Sequence, residues 1–198
     1  ALAWATVANY GPDPSLNGKT MAEVALKIAG ADSADAQLEA ARILMMNGGA
    51  SMVYHFMDDQ DVTRIMRHPM VSIAADASIS DASSGVPHPR GYGNTARVLG
   101  EYVRERKVIS LEEAVRKMSS LPASFFGFEG RGVIREEAFA DLVLFDPAKV
   151  ADAATYAAPQ TYPTGMPHVL VNGLFGVKEG VTTGARPGML LLRSRRVR

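Results

Sequence analysis

Residues 70–76 read Met-Val-Ser-Ile-Ala-Ala-Asp. A short apolar run that ends in one carboxylate is typical of a strand buried in a parallel sheet. Helical segments lie on both sides of it, so the sequence predicts an α/β fold. In such folds chemistry collects at the C-terminal ends of the strands, which makes Asp76 a candidate functional residue.

The helices before this run begin and end at recognisable capping residues. Thr20 and Glu23 form a capping box that starts a helix ending at Gly30. Ser33 opens a second helix, which Asn47 and the glycines after it end. Four apolar residues of the second helix recur at helical spacing, and they are expected to pack in the core. These residues are Leu38, Ala41, Leu44 and Met45.

Further helices are predicted on both sides of a long loop over residues 77–93. Asp58, Asp59 and Asp61 complement the start of a helix that His68-Pro69 ends. After the loop come an amphipathic segment over 94–106, a helix opened by the capping box Ser110–Glu113, and a short helix closed by Gly127.

The pattern changes after Gly130 to short strands separated by Gly, Pro and Asp turns. The predicted strands cover residues 132–134, 140–146, 168–173, 174–177 and 189–192. Within them, Asn172-Gly173 between apolar residues is typical of a tight hairpin. The sequence therefore predicts a small β-rich module that begins near residue 128.

Composition excludes several kinds of partner and site. The 198 residues include 21 basic and 21 acidic side chains, and this balance argues against a nucleic-acid or anionic-membrane partner. The apolar runs are far shorter than the ~20 residues that span a bilayer. The absence of cysteine excludes disulfides, thiolate metal sites and a Cys nucleophile, and it fits a cytoplasmic protein.

The same composition limits metal binding to His, Asp, Glu and backbone oxygen. His55, His68, His88 and His168 form neither a His-x-His nor a His-x-x-x-His pair. Zinc needs three or four ligands, so this chain alone is not expected to complete a zinc shell.

Four residues are candidates for a site, and each has a plainer structural alternative. Asp76 could ligate a metal or act as a general base, or it could cap the loop that follows. Arg90 follows Pro89 and could present a rigid fork to a carboxylate, or it could form a surface ion pair. Tyr54 and Met57 could line a pocket, or they could belong to the core.

Several of these stretches together resemble the C-terminal part of the N-acyl-D-amino-acid deacylases, or D-aminoacylases, of the amidohydrolase superfamily. The matching stretches are Ser51–Tyr54, the run ending in Asp76, His88-Pro-Arg90, Arg131–Asp146, Val171-Asn-Gly173 and Arg186-Pro-Gly188. The resemblance extends from about residue 4 to residue 192.

The resemblance implies a fold. The implied fold is the C-terminal part of a metal-dependent (β/α)8 barrel together with part of a small β-sandwich. Residues 1–50 would form a helical insertion, residues 51–128 the last barrel strand, the active-site loop and the following helices, and residues 129–198 part of the small β domain. A complete barrel typically needs about 250 residues, so a barrel here would be incomplete.

The resemblance also implies an activity, which is hydrolysis of N-acyl-D-amino acids at a zinc site. Asp76 would lie at the metal and serve as the general base, and Arg90 would hold the substrate's α-carboxylate. Tyr54 and Met57 would line the pocket for the substrate side chain. Most zinc ligands would come from an N-terminal part of the enzyme or a complementary subunit, without which the chain is expected to be inactive.

One departure and two alternatives accompany the resemblance. The family usually has Gly-Ser-Asp-Gly where this chain has Ala74-Ala-Asp-Ala77, which is expected to change the turn at Asp76. One alternative is a non-catalytic assembly module that uses exposed strand edges. The other is an amidohydrolase of the dihydropyrimidinase type, which acts on cyclic amides. His88-Pro-Arg90 argues against the latter because a cyclic amide has no comparable free carboxylate.

Overall fold

The computed structural model describes residues 2–77 and 85–192, in which helices are mixed with short strands. The chain divides into two compact units. The first contains the residues up to Asp58, then Asp76–Tyr92 and Ala154–Thr161. The second contains Asp59–Ala75, Gly93–Ala153 and the residues from Tyr162 on. Residues 78–84 of the predicted long loop lie outside the described residues.

The first unit is a pair of antiparallel strands with two helices between them in sequence. Strand β1 (Ala5–Asn9) is followed by a 3-10 turn (Pro14–Leu16), helix α1 (Met21–Ala29), helix α2 (Ala34–Met46) and strand β2 (Ser51–Tyr54). The two strands pair with Ala5 opposite Tyr54. This register places the candidate residue Tyr54, at the end of β2, beside the start of β1.

The predicted caps of both helices are confirmed. The Glu23 carboxylate accepts the Thr20 N–H at 2.8 Å, and the Thr20 hydroxyl accepts the Glu23 N–H at 3.3 Å. Gly30 closes α1 in the left-handed conformation, with φ of 71°. The Ser33 hydroxyl accepts the Ala36 N–H at the start of α2. These motifs are predictable because each satisfies orphan backbone groups within one turn of the helix.

Apolar residues from β1 and the residue after it, from both helices and from the 3-10 turn form the core of the first unit. The buried members are Ala5, Val7, Tyr10, Leu16, Met21, Val24, Ala25, Ala40 and Leu44. The predicted core face of α2 is only partly right, because Leu38 is 57% exposed and Met45 76% exposed. Gln37 takes a place on the buried face instead.

Hydrogen bonds explain why a glutamine lies on the core face of α2. The side-chain oxygen of Gln37 accepts the Leu2 N–H, and its side-chain nitrogen donates to the Asp32 carbonyl at 2.8 Å. A buried amide is stable only when its polar atoms are paired. The helix is therefore rotated so that Gln37 points inward, and Leu38 and Met45 point away from the core.

The second unit contains most of the remaining helices. They are α3 (Asp59–Arg67), α4 (Arg90–Arg97), which begins in the first unit, a π-helical segment (Val98–Glu105), α5 (Leu111–Met118) and α6 (Ser120–Phe126). Ala96, Val98, Leu99, Ala114 and Val150 form the buried core of this unit. The described residues include no helix with the length and hydropathy needed to cross a membrane.

Four strands of the second unit form one antiparallel sheet. They are β3 (Leu142–Leu144), β4 (His168–Val171), β5 (Leu174–Lys178) and β6 (Val181–Thr182), and they lie in that order in the sheet. The predicted β4–β5 hairpin is confirmed, with φ of 49° at Asn172 and 79° at Gly173. Strand β6 was not predicted, and the predicted strands at 132–134 and 189–192 are not present.

The run Met70–Asp76, predicted as a parallel strand, is not a strand in the structure. No strand among residues 2–77 and 85–192 pairs with it. The middle of the run forms hydrogen bonds with the end of α5 instead. The Ile73 N–H donates to the Lys117 carbonyl at 3.1 Å, and the buried Lys117 ammonium donates to the carbonyls of His68 and, at 2.9 Å, Val71. An apolar run becomes a strand only where another strand supplies ladder partners.

Candidate active site

A cavity of about 570 Å³ in the first unit contains three of the four candidate residues. Its walls come from the end of β2 and the residues after it, from the His88-Pro-Arg90 loop, and from one residue late in the chain. The lining residues are Met52, Val53, Tyr54, His55, Phe56, Met57, His88, Arg90 and Tyr156. A concave site with an apolar wall and a few convergent polar groups is the usual form of a small-molecule site.

The apolar wall is formed by Tyr54 and its neighbours. Tyr54 is 51% exposed and Met57 is 68% exposed, so neither is a core residue in this structure. The Tyr54 ring packs against Trp4 at 5.6 Å and against Phe56 at 6.0 Å between ring centroids. The three rings pack against one another, and those of Tyr54 and Phe56 present apolar surface to the cavity.

The His88-Pro-Arg90 loop turns directly into α4. The Arg90 N–H donates to Nδ1 of His88 at 3.0 Å, and the Gly91 N–H donates to the His88 carbonyl at 3.2 Å. The Tyr92 N–H donates to the Pro89 carbonyl at 3.0 Å. Arg90 is therefore the first residue of a helix whose first free N–H groups are capped by His88 and Pro89.

Asp76 lies beside Arg90. The Arg90 Nη2 atom donates to the Asp76 Oδ2 atom at 2.9 Å. The Asp76 side chain is 90% exposed and that of Arg90 43% exposed. Exposed ion pairs contribute only about 0.2–1 kcal/mol, so Arg90 can exchange this carboxylate for another at little cost.

The backbone at Asp76 is in the left-handed region, with φ of 48°. Asp tolerates this conformation better than most side chains because its carboxylate can bond locally. Residues 74, 75 and 77 are alanines, and the turn is made at Asp76 itself. The structure therefore brings Asp76 to Arg90 without a neighbouring glycine.

The far end of the loop is anchored on β1. The Val86 N–H donates to the Ala8 carbonyl at 2.8 Å. Gly85 has φ of 79°, and a Cβ atom there would lie 2.5 Å from the Ala8 oxygen. This close approach requires glycine at residue 85.

Tyr156, which the sequence did not single out, also lines the cavity. The Tyr156 ring lies 4.4 Å from the His55 ring and 5.2 Å from the His88 ring, edge-on to both. Tyr156 belongs to the segment Ala154–Thr161, which returns to the first unit from much later in the chain. No local sequence pattern marks such a residue, because its role depends on a long-range contact.

Among the described residues, no group of three or more His, Cys, Asp or Glu side chains could hold a metal ion. Asp76 is the one predicted zinc ligand in the cavity region, and it is paired with Arg90. A zinc shell needs three or four ligands. The described part of this chain therefore does not fit a complete zinc site by itself.

Comparison with known proteins identifies the family. Residues 17–175 match the amidohydrolase family. This region is most of the chain, and the chain belongs to that family. The resemblance predicted from the sequence is confirmed.

Curated relatives agree with this assignment. The chain is 40% identical over 192 residues to the N-acyl-D-glutamate deacylase of Alcaligenes xylosoxydans xylosoxydans, covering 97% of this chain and 36% of that protein. It is 39% identical over 183 residues to the D-aminoacylase of the same organism, covering 92% of this chain and 36% of that protein. The chain thus spans about a third of the length of these relatives.

Solved structures show the same similarity. The crystal structure of a D-aminoacylase matches 96% of this chain with a TM-score of 0.84 and 34% identity, over 38% of its own length. The N-acyl-D-glutamate deacylase from Bordetella bronchiseptica, complexed with zinc and a phosphonate inhibitor, matches 98% of this chain. Its TM-score is 0.84 at 36% identity, over 38% of its own length.

Proposed function

We propose that this chain is the C-terminal portion of a zinc-dependent amidohydrolase that hydrolyses N-acyl-D-amino acids to a D-amino acid and a carboxylate. One observation supports this above the others. Arg90, which can bind a carboxylate, and Asp76, which can accept a proton, lie 2.9 Å apart beside an aromatic and methionine wall. The relatives named above are deacylases of N-acyl-D-amino acids.

The fold proposed for the whole enzyme is a (β/α)8 barrel with a small β-sandwich. In this proposal residues 1–50 form the helical insertion, residues 51–128 the last barrel strand, active-site loop and following helices, and residues 129–198 part of the β domain. The share of each relative that this chain covers, 36–38%, supports the reading as a portion of such an enzyme. The strands that would pair with residues 70–76 would then belong to the remainder of the enzyme.

Arg90 has the role of carboxylate clamp in this proposal. Its guanidinium is planar and permanently charged, and it can bind a carboxylate through two parallel hydrogen bonds. Its backbone is fixed by the start of α4 and its side chain is half-exposed at the cavity. A bound α-carboxylate would orient the amide bond for attack.

Asp76 has the role of general base. Amide hydrolysis requires removal of a proton from the attacking water and its delivery to the leaving nitrogen. An exposed carboxylate next to the clamp can hold that proton close to the substrate. Asp76 would also add one oxygen ligand to zinc, with the other ligands supplied by the remainder of the enzyme or by a complementary subunit. Zinc itself would supply a more acidic water.

Tyr54 and Met57 would contact the substrate side chain. Both are exposed at the cavity and present apolar surface. With Arg90 holding the carboxylate and this wall holding the side chain, two of the four substituents of the α-carbon are placed. Chiral selection needs a third contact, which the acyl amide would make at the reacting centre.

The test uses the complete enzyme and N-acetyl amino acids of both hands. Asp76→Asn is expected to lower kcat on the D substrate by about 100-fold or more, the loss typical of a general base. Asp35→Asn, at an exposed carboxylate on α2, serves as the control and should leave kcat unchanged. A loss of less than tenfold for Asp76→Asn would contradict the assignment. Preferred turnover of a dihydropyrimidine over the open-chain substrates would favour the cyclic-amide alternative.

A further inference from the structure

We propose that Tyr156 is a positioning residue that fixes the Arg90 clamp relative to the wall formed by Tyr54 and Met57. This inference rests on the proposed function, because it concerns how a substrate's carboxylate and side chain are held at the same time. Nothing in the resemblance that identified the other candidates points to Tyr156. The evidence is the pair of contacts that its side chain makes with His55 and His88, which both line the cavity.

The first contact reaches the clamp through His88. The Nδ1 atom of His88 accepts the Arg90 N–H at 3.0 Å, so that nitrogen carries no proton. In the neutral ring the proton is then on Nε2, which lies 3.4 Å from the Tyr156 hydroxyl and can donate to its oxygen. Tyr156 thus meets the same imidazole that caps the first helical residue, Arg90.

The second contact reaches the wall through His55. The Tyr156 ring lies edge-on to the His55 ring at 4.4 Å between centroids. His55 directly follows Tyr54, its N–H donates to the Trp4 carbonyl at 2.8 Å, and its Nε2 lies 3.2 Å from the Thr6 hydroxyl. His55 is therefore tied to β1, the partner of the strand that carries Tyr54.

These contacts join one tyrosine ring to two histidines that line the same cavity. The direct ion pair of Arg90 is exposed and weak, so the guanidinium depends on its loop for a defined position. Small displacements matter, since misplacing a binding group by about 1 Å can lower the rate by about 100-fold. Tyr156 is 51% exposed, so its removal is expected to change this geometry without emptying the core.

The test compares two substrates of the complete enzyme, an N-acetyl-D-amino acid and its α-carboxamide. Only the first substrate carries an α-carboxylate that Arg90 can bind as an ion pair. We expect Tyr156→Ala to raise KM for the carboxylate by about tenfold and for the carboxamide by less than about twofold. Tyr156→Phe keeps the ring between the histidines and is expected to raise KM by only about twofold to threefold. Tyr162→Ala, at an exposed tyrosine of the second unit, is the control and should change neither value.

A double-mutant cycle separates positioning from general damage. If Tyr156 acts through Arg90, Tyr156→Ala should change KM by less than about twofold in an Arg90→Lys background. Equal effects on both substrates, or full additivity with Arg90→Lys, would overturn the inference while the proposed function stood. If the unmodified enzyme turned over no N-acyl-D-amino acid, the proposed function would fail, and this inference with it.

Discussion

Arg90 donates from Nη2 to Oδ2 of Asp76 at 2.9 Å, so the two charged residues predicted for the site are joined to each other. A carboxylate substrate that binds Arg90 must share or replace this partner. The pair is exposed, with Asp76 90% and Arg90 43% accessible, and is therefore weak enough to exchange. Asp76 would at the same moment be released for proton transfer. Carboxylate binding and liberation of the proposed base are thus coupled by one hydrogen bond.

This coupling predicts that removing the Asp76 charge tightens carboxylate binding. Asp76→Asn should lower the Kd for a D-amino acid by about 1.4-fold to fivefold, the range expected from an exposed ion pair of about 0.2–1 kcal/mol. Calorimetry on chelator-treated enzymes would measure it without a contribution from metal. Asp13→Asn, which removes another exposed ion-paired aspartate, is the control. Weaker binding by Asp76→Asn would show that the Asp76 carboxylate and the ligand carboxylate do not compete for Arg90.

Replacing Arg90 by lysine should weaken substrate binding more than catalysis. Lysine keeps the charge but cannot offer the planar pair of donors, so KM should rise about tenfold or more, with a smaller change in kcat. Steady-state kinetics on an N-acetyl-D-amino acid would measure both. Arg42→Lys removes the same planar pair of donors from an exposed ion pair with Glu39 on α2 and should leave KM unchanged. An unchanged KM for Arg90→Lys would show that Arg90 does not bind the substrate carboxylate.

Stability at acidic pH should depend on Glu113. Hydrogen bonds from Arg116, at 2.7 and 2.8 Å, lower the pKa of the Glu113 carboxyl to about 2. The unfolded value is about 4.3, so the folded state binds fewer protons between these two pH values. The stabilisation is fully present above about pH 4.3 and is lost as the pH falls towards 2.

Unfolding midpoints measured from pH 2 to pH 6 would reveal this contribution. Glu113→Gln should flatten the rise in stability across that window and change the midpoint less at its acidic end than at its neutral end. Glu129→Gln removes an exposed carboxylate outside this pair and should leave the slope as it is. The same slope in the Glu113→Gln protein and the unmodified one would show that the Arg116 pair contributes nothing.

Two leucines of α2 should differ sharply in their contribution to stability. Leu44 is 3% exposed in the core of the first unit, whereas Leu38 is 57% exposed. Leu44→Ala should lower the free energy of unfolding by about 2–5 kcal/mol, because it removes packed atoms and leaves a cavity. Leu38→Ala should change it by less than about 0.5 kcal/mol. Denaturant unfolding of both variants measures this difference. Equal losses of unfolding free energy would show that Leu38 is packed in the core.

For the site, the sequence was sufficient to select Asp76, Arg90, Tyr54 and Met57, whose roles remain predictions. It did not predict that Asp76 and Arg90 pair with each other. It also did not predict that Tyr156 reaches the same cavity. Pairing between residues distant in the chain depends on the packing of several elements, and no short window of sequence records that packing.

For the fold, the sequence alone determined what depends on neighbouring residues. The caps at Thr20, Ser33 and Ser110 and the hairpin at Asn172-Gly173 are local, since a side chain satisfies a backbone group one turn away or a residue adopts a positive φ. The tertiary structure decided the rest. It turned Gln37 rather than Leu38 to the core, where the Gln37 amide pairs with the backbone of Leu2 and Asp32. It also left residues 70–76 bonded to Lys117 rather than in a strand, because a strand exists only where another strand completes its hydrogen bonds.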